Sequence, residues 1–320
     1  MDGILNEKAA LAARLLAGDR VALARAMSLV EAEAPAARAL LEAIRPHLGR
    51  AVVVGFTGPP GAGKSTLVNG FIAEMRVRGK AVGVAAVDPS SPVSGGAILG
   101  DRIRMAEHTL DKGVFIRSLA SRGHLGGLSA SAARVADLMD AAGYDVVLLE
   151  TVGAGQSEVE MAELADVRVV VCAPGLGDDV QAMKAGILEI ADILVVNKSD
   201  LPLAQRTQQQ LQAMLGLRAP SDWTVPVLAT NGIDRIGVPA LADAVERKAA
   251  LRSSGGARDG LSGRTRRLLA QSLARLVEKR LMSDRSPEVA AIINSLQTGE
   301  TSLQNACAQT LELLRERSQT

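Results

Sequence analysis

Between residues 51 and 250, short apolar runs alternate with longer stretches in which apolar positions recur every three or four residues. Short apolar runs are typical of buried strands, and the longer repeat is typical of amphipathic helices. The pattern predicts strands at 51–56, 81–87, 114–117, 145–150, 167–173, 192–197 and 225–230. It predicts helices at 65–78, 100–111, 128–142, 156–164, 179–189, 203–215 and 238–250. This alternation favours an α/β fold whose mostly parallel sheet is flanked by helices on both faces.

The two ends of the chain differ from this central region. Residues 6–48 are rich in alanine and leucine and predict two or three helices. A run rich in glycine and serine then predicts a linker after the central region, and helical patterns resume at 264–282 and 287–316. The predicted organisation is an N-terminal helical segment (1–48), a nucleotide-binding domain (49–251), a linker (252–263) and a C-terminal helical arm (264–320).

One face of the C-terminal arm carries a row of leucines, at positions 268, 269, 273 and 276. Such a face needs an apolar partner. A second copy of the chain could supply it, which would make the segment a dimerisation arm, or the arm could pack onto the core of its own chain. The pattern leaves both possibilities open.

A glycine-rich motif stands between the first predicted strand and the helix predicted at 65–78. It fits G-x-x-x-x-G-K-[ST], a loop whose backbone N–H groups converge on phosphate oxygens at a helix N-terminus. The predicted phosphate-binding residues are Gly58, Pro59, Pro60, Gly61, Ala62, Gly63, Lys64, Ser65 and Thr66. Lys64 would neutralise phosphate charge, and the Ser65 hydroxyl would bind Mg²⁺. The motif therefore predicts a P-loop NTPase.

A second motif, Asn197-Lys198-Ser199-Asp200, follows the predicted strand at 192–197. The Asp200 carboxylate can accept hydrogen bonds from guanine N1–H and from the 2-amino group. Adenine offers an acceptor at N1 and no 2-amino donor, so ATP would leave this carboxylate unsatisfied at a substantial cost. Asn197 and Lys198 would brace the loop. Together the two motifs predict that the bound nucleotide is GTP or GDP.

Carboxylates also stand where predicted strands end between the two motifs. Asp88 ends the strand at 81–87, Asp101 follows a glycine-rich stretch, and Glu150 ends the strand at 145–150. Loops that sense a γ-phosphate need backbone freedom and carboxylates that can reach Mg²⁺. The predicted metal set is Ser65, Asp88, Asp101 and Glu150.

The residues after Glu150 extend this interpretation. The Gly153 N–H could meet the γ-phosphate, as a second switch requires. Gln156 has two interpretations, because it could orient the attacking water or simply begin a helix.

Composition narrows the class of protein further. Hydrophobic residues make up 48% of the chain, but aromatic residues only 2%, and the formal net charge is +1. These values argue against a nucleic-acid surface, which needs stacking aromatics or a basic stripe. No secretory or membrane-spanning segment is evident, and Cys172 and Cys307 are too few for a disulfide framework. We therefore expect a cytoplasmic protein that binds neither nucleic acid nor membrane.

Six short motifs occur in order along the chain, and together they resemble the methylmalonyl-CoA mutase-associated GTPases, the bacterial relatives of the human methylmalonic aciduria type A protein. The resemblance covers roughly residues 50–235. The motifs are Val87-Asp-Pro-Ser-Ser91, Gly95-Gly-Ala-Ile-Leu-Gly-Asp-Arg102, Leu125-Gly-Gly-Leu128, Glu150-Thr-Val-Gly-Ala-Gly-Gln-Ser-Glu158, Pro174-Gly-Leu-Gly-Asp178 and Asn197-Lys-Ser-Asp200.

The resemblance implies a homodimeric G-protein chaperone of an adenosylcobalamin-dependent acyl-CoA mutase. Such a protein gates cofactor loading from an adenosyltransferase and protects the mutase, using slow GTP hydrolysis that the partner stimulates. By this likeness the catalytic residues are Lys64, Asp88, Glu150 and Lys184. Lys184 matches a family lysine that moves toward the nucleotide when the mutase binds, although the sequence alone makes it an ordinary charged helix residue.

The chain departs from the family pattern at two places. The stretch before Leu125 contains Arg122 and His124, which could contact nucleotide or partner or have no role. The late base-side loop has Asn231-Gly232 where many G proteins carry Ser-Ala. We predict that these two residues bind the nucleotide, and the departure leaves the contact to guanine O6 open. The departures leave open which mutase is the client, for instance one acting on isobutyryl-CoA or 2-hydroxyisobutyryl-CoA.

Three alternative functions share the phosphate motif. A metal-insertion GTPase of the nickel type would need a cluster of histidines or cysteines, and the three histidines are scattered. A kinase would need an acceptor pocket with a positioned base. A partitioning or electron-transfer ATPase would carry an extra lysine where this chain has Pro59 and Pro60.

Overall fold

A computed structural model describes residues 10–32, 34–88, 106–120, 125–151, 164–175, 187–216 and 222–254, and residues 266–316 with short gaps. The chain divides into two compact units, Met1–Leu268 and Leu269–Thr320. The first unit contains the sheet, and the second is helical where it is regular.

All seven predicted strands are confirmed. They are β1 (Val52–Thr57), β2 (Val82–Asp88), β3 (Val114–Ala120), β4 (Val146–Thr151), β5 (Val167–Cys172), β6 (Ile193–Val196) and β7 (Val227–Ala229). They form one sheet in the order β3-β2-β4-β1-β5-β6-β7, and every neighbouring pair is parallel. The strand order changes direction at β1, and ligands bind at the carboxyl ends of strands at such a point.

The helices come in the sequence order that the pattern predicted. They are α1 (10–16), α2 (Arg20–Glu31), α3 (Pro35–Ile44), α4 (Lys64–Val77), α5 (Leu125–Ala141), α6 (Ile187–Ile190), α7 (Ala204–Leu215), α8 (Val238–Ser254), α9 (Pro287–Gln297) and α10 (Leu303–Glu316). The N-terminal helices and those expected near 65–78, 128–142, 203–215 and 238–250 are confirmed. The helix predicted at 156–164 lies outside the described residues except for its last residue, and most of that at 179–189 lies outside as well.

Two helix predictions were wrong in part. Of the stretch 100–111, the described residues form only the short 3₁₀ turn Ala106–His108, followed by a turn in which the Gly113 N–H donates to the Asp111 carboxylate. The single helix expected at 287–316 is two helices, α9 and α10. Gly299 has a φ of +76° and ends α9, and the Ser302 hydroxyl accepts a hydrogen bond from the Asn305 N–H at the start of α10.

Alternate residues of the central strands face two separate apolar layers, as period-two geometry requires. Val53 and Val147 pack with the N-terminal helices and α5 on one face. Val54 and Phe56 pack with α4 and α8 on the other, where the Phe56 and Phe71 rings meet edge to face at 5.5 Å. The sheet is thus buried on both faces, and only its strand ends are available for a polar site.

The carboxylate of Asp192 organises the amino-terminal end of β6. It pairs with the Arg168 guanidinium at 2.8 Å and with the Lys248 ammonium at 3.1 Å, and it also accepts the Arg168 backbone N–H. Asp192 is 3% exposed. Burial alone would raise the pKa of this carboxyl, but the hydrogen bonds and charge of Arg168, aided by Lys248, outweigh it and lower the pKa overall. The cluster fixes β5, β6 and α8 at the edge opposite the strand carboxyl ends.

Among the described residues, no helix is both long enough and apolar enough to cross a lipid bilayer.

We expect Asp192→Asn to destabilise the first unit by about 2–4 kcal/mol, because two cations would lose their buried counter-ion. Urea unfolding followed by circular dichroism measures this. Because the pKa of Asp192 is lower in the folded chain, its contribution is complete above the unfolded value of about 3.9 and is lost as the pH falls further. The difference in unfolding free energy between the parent and the Asp192→Asn variant should therefore become smaller below about pH 4.

The control for this variant is Glu42→Gln, since the Arg38–Glu42 pair has side chains that are 88% and 67% exposed. Exposed pairs contribute little, so the unfolding midpoint should not move. Equal effects of the two substitutions would contradict a structural role for the Asp192 cluster.

Candidate functional site

The candidate site lies at the carboxyl edge of the sheet, where the strand register brings several predicted residues together. Phe56 pairs with Glu150, and Ala86 pairs with Glu150 from the other side. Asp88 ends β2 one residue beyond the pairing of Val87 with Thr151. The strand ends therefore place Asp88 and Glu150 at the same edge as the phosphate loop (58–63), which follows β1.

Glycine is required at both ends of the phosphate loop. Gly58 has a φ of +139°, and a Cβ atom there would collide with the Val171 backbone carbonyl. Gly63 has a φ of +83° at the N-cap of α4, and a Cβ there would lie 2.5 Å from the Asn197 side-chain nitrogen. Residues with a side chain rarely adopt these backbone conformations, and at both positions a Cβ atom would collide with its neighbours. The loop thus passes close to β5 on one side and to the Asn197 loop on the other.

Lys64 and Ser65 begin helix α4 directly after this loop. The Lys64 Nζ donates to the backbone carbonyls of Gly58 and, at 3.2 Å, of Pro59, and the residue is 7% exposed. The ammonium group is thus held over the loop, and Ser65 is 8% exposed beside it. A buried cation and a hydroxyl at a helix N-terminus suit an anionic, metal-bound ligand.

Asn197 connects three loops through one buried side chain. Its Nδ2 donates to the carbonyl oxygens of Ala62 and Gly63 at 3.0 and 3.3 Å. Its Oδ1 accepts the Thr230 hydroxyl and the Gly232 backbone N–H, both at 3.1 Å. The phosphate loop, the first base loop (197–203) and the second base loop (230–237) therefore share one amide, and Asn197 is 2% exposed.

Asp200 lies on the first base loop with its carboxylate held from the second. The Asn231 Nδ2 donates to Asp200 Oδ1 at 3.1 Å and to Asp234 Oδ2 at 2.6 Å. Lys198 is exposed and has a φ of +56°. The structure thus brings together the predicted base-side residues Asn197, Asp200, Asn231 and Gly232.

The predicted metal set is described only in part. Glu150 is 0% exposed at the phosphate edge, and Ser65 begins α4; the side chain of Asp88 and the whole of Asp101 lie outside the described residues. No group of three or more metal-binding side chains occurs among the described residues. Mg²⁺ in nucleotide sites commonly uses one or two protein oxygens together with phosphates and water, so a hydroxyl and a buried carboxylate fit this ion.

Several other predicted site residues also fall outside the described part of the chain. They are Gly153, Lys184, Arg122, His124 and Gln156.

Thr230 and Asp234 were missed in the sequence analysis. Thr230 is fully buried against Asn197, and Asp234 shares the Asn231 amide. The sequence did carry a signal for this turn. Asn231-Gly232 is typical of a turn in which the asparagine side chain accepts nearby backbone N–H groups, and Asp234 lies within that turn.

Comparison of the sequence with known proteins identifies one family of GTPases. Residues 23–289 match the model of the family described as methylmalonyl-CoA mutase-associated GTPase MeaB. The GTPase ArgK of Escherichia coli K12 is 42% identical over 253 residues, which cover 76% of each chain. The mitochondrial methylmalonic aciduria type A homolog of Mus musculus is 36% identical over 248 residues, covering 72% of this chain and 60% of that protein.

A solved structure shares the fold along almost the entire chain. It is a crystal structure of an LAO/AO transport system kinase, with a TM-score of 0.75 and 29% identity. The match covers 96% of this chain and 97% of that chain. The α/β architecture of a P-loop protein is therefore confirmed.

We expect Asn197→Asp to weaken nucleotide binding by roughly ten- to a hundredfold, equivalent to about 1–3 kcal/mol. The carboxylate keeps the two accepted hydrogen bonds but faces the Ala62 and Gly63 carbonyls without a donor. Titration with a fluorescent guanine nucleotide measures the affinity.

The matched control for this variant is Gln208→Glu. It removes an amide donor to the Val227 carbonyl away from the phosphate loop and should change thermal stability but not nucleotide affinity. A similar loss of affinity in both variants would argue against a linking role for Asn197.

Proposed function

The chain belongs to the methylmalonyl-CoA mutase-associated GTPase family, and on that premise we propose that it hydrolyses GTP as a chaperone of an adenosylcobalamin-dependent acyl-CoA mutase. The observation that carries GTP binding is the Asn197 side chain, which joins the phosphate loop to the loop of Asp200. A nucleotide that spans the two loops would find phosphate donors at one end and a base-reading carboxylate at the other.

Each predicted residue would have a defined part in this chemistry. The phosphate-loop N–H groups and Lys64 would hold the phosphates, and Asp200 would accept guanine N1–H and the 2-amino group. Ser65, Asp88, Asp101 and Glu150 are the candidate holders of Mg²⁺. When bound, this ion would supply positive charge that offsets the negative charge of the phosphates.

Hydrolysis needs the transferring phosphoryl group to be held while water attacks in line, and most of the catalysis comes from positioning and charge. Lys64 is already held at the loop by two carbonyls. Glu150 lies near the carboxyl end of β4, opposite Phe56 and Ala86, which supports a role in addressing the attacking water or the metal. Gly153 and Lys184 would complete the site, Gly153 through its N–H to the γ-phosphate and Lys184 as the lysine that the family likeness assigns to catalysis.

The chaperone role is supported by the family description, which associates these GTPases with methylmalonyl-CoA mutase. We infer that GTP turnover gates loading of adenosylcobalamin and protects or reactivates the mutase. We further infer that an adenosyltransferase is a second partner and that the chain acts as a homodimer. The leucines at 269, 273 and 276 are more than half exposed, as a dimerisation arm would require.

A kinase role remains the alternative that a specific observation favours, because the matching crystal structure bears that description. A kinase would transfer the γ-phosphate to an acceptor, whereas a GTPase releases it as inorganic phosphate. Measuring the ratio of phosphate released to GTP consumed distinguishes the two.

We expect Asp200→Asn to lower the preference for GTP over ATP at least tenfold, because the amide offers guanine one acceptor instead of two. The phosphate contacts are unchanged, so ATP affinity should be retained. Lys64→Ala is the contrasting variant and should weaken both nucleotides strongly. Competition titrations measure the two affinities, and an unchanged preference in Asp200→Asn would refute the base assignment.

We expect GTP hydrolysis to be slow alone and at least tenfold faster with the client mutase, a barrier lowering of about 1.4 kcal/mol. Steady-state phosphate release, measured with mutases acting on methylmalonyl-CoA, isobutyryl-CoA or 2-hydroxyisobutyryl-CoA, identifies the client. Hydrolysis that none of these mutases changes would contradict the chaperone role and favour a metal-insertion GTPase.

A further inference from the structure

We propose that Asn231 is a positioning residue that sets the selectivity for the guanine 2-amino group by fixing the Asp200 carboxylate, and that Asp234 shares the same amide. This inference rests on the proposed GTP binding and adds to it a determinant outside the Asn197–Asp200 motif. Asn231 would act through Asp200 and not on the base itself.

The Asn231 amide nitrogen is fully used by the two acids. A side-chain amide carries two protons, and the structure gives one acceptor for each, Asp200 Oδ1 at 3.1 Å and Asp234 Oδ2 at 2.6 Å. Two carboxylates close to one another repel, and the amide between them offsets this by donating to both. No proton on this nitrogen remains for guanine O6, which separates the role of Asn231 from a direct base contact.

The rest of Asn231 is held equally firmly. Its Oδ1 accepts the backbone N–H groups of Ile233 and Asp234 at 3.0 and 3.2 Å. Its own N–H donates to the Ile236 carbonyl at 2.9 Å, which closes the second base loop. The residue is 6% exposed. The amide therefore has a single orientation and provides a fixed point for any group that it binds.

Asp200, in contrast, is an exposed residue on its loop. An exposed aspartate samples several rotamers, whereas reading N1–H and the 2-amino group needs both carboxylate oxygens in one plane with the base. The hydrogen bond to Oδ1 fixes that plane before a nucleotide arrives. Each carboxylate oxygen accepts two hydrogen bonds, so Oδ1 can accept from Asn231 and from the base together.

The second base loop is also anchored away from the base. Arg235 has a φ of +57°, and its guanidinium pairs with Glu107 at 3.2 Å, while Glu107 also accepts the Asn69 side-chain amide of α4. The second base loop, which carries Asn231, is thus connected through Glu107 to helix α4, which begins at the phosphate loop. Asn231 orients Asp200 relative to the phosphates.

The experiment compares Kd values for GTP, inosine triphosphate, which lacks the 2-amino group, and ATP. Asn231→Asp is the decisive variant, because it keeps an acceptor for the Ile233 and Asp234 N–H groups but has no donor for the two acids. We expect its preference for GTP over inosine triphosphate to fall roughly tenfold, since Asp200 loses its orientation and gains a repelling neighbour.

Two further variants distinguish positioning from a general effect on the loop. Asp234→Asn keeps an acceptor for the second amide proton and should retain the preference within about threefold. In an Asp200→Asn background, Asn231→Asp should cause little additional loss, because the group that it positions is already absent. Asn305→Asp introduces the same charge change at an exposed helix position and serves as the control.

Four outcomes are decisive for the proposed function or for this inference. A parent chain that does not distinguish GTP from ATP would refute the proposed function. A selective parent with unchanged preference in Asn231→Asp would leave that function intact and overturn this inference. A loss in Asp234→Asn as large as in Asn231→Asp, or full additivity with Asp200→Asn, would assign the effect to loop folding and also overturn it.

Discussion

The candidate nucleotide site depends on one buried amide, the side chain of Asn197. Four hydrogen bonds run from it to the phosphate loop and to the second base loop. None of these loops belongs to the sheet, so the strand pairing alone does not fix their separation. A buried amide that lost one partner would retain an unsatisfied polar group at a cost of about 1–3 kcal/mol. The loops are therefore held at the spacing that keeps all four bonds, and a nucleotide meets a site whose two ends are already in register.

At the opposite edge of the sheet, two carboxylates hold the amino-terminal ends of the strands in place. Asp192 gathers Arg168 and Lys248 at the amino end of β6, and Asp140 on α5 accepts the backbone N–H groups of Gly49, Arg50 and Ala51 just before β1. These carboxylates secure the beginnings of the strands whose ends carry the site. In contrast, the non-glycine residues with positive φ among the described residues, Lys198, Leu203 and Arg235, all lie on the two base loops. Backbone strain of this kind persists only where the surroundings determine the conformation.

The fold was largely predictable because its signals are local. A strand buried on both faces is a short apolar run, and the shortness and β-branched residues of Val52-Val-Val54 and Ile193-Leu-Val-Val196 favour a strand over a buried helix. The helix boundary at Gly299 was missed because one glycine interrupts an otherwise helical pattern. The roles of Thr230 and Asp234 were not predictable, since both depend on contacts with Asn197 and Asn231 that only the folded loops create. The sequence therefore predicted the residues that match a motif, but not the residues that hydrogen-bond to them.

The second base loop packs directly on α4, the helix that follows the phosphate loop. A Cβ on Gly232 would lie 3.0 Å from the Leu67 backbone, so the second base loop packs directly on α4. Glu107 then joins Asn69 of α4 to Arg235 of the same loop. These contacts hold the second base loop, the turn of Glu107 and α4 together, so we expect guanine recognition to change little during turnover. We expect a partner that accelerates hydrolysis to act at the γ-phosphate side, where Asp88 ends β2, Glu150 lies one residue before the end of β4 and the candidate switch residues follow.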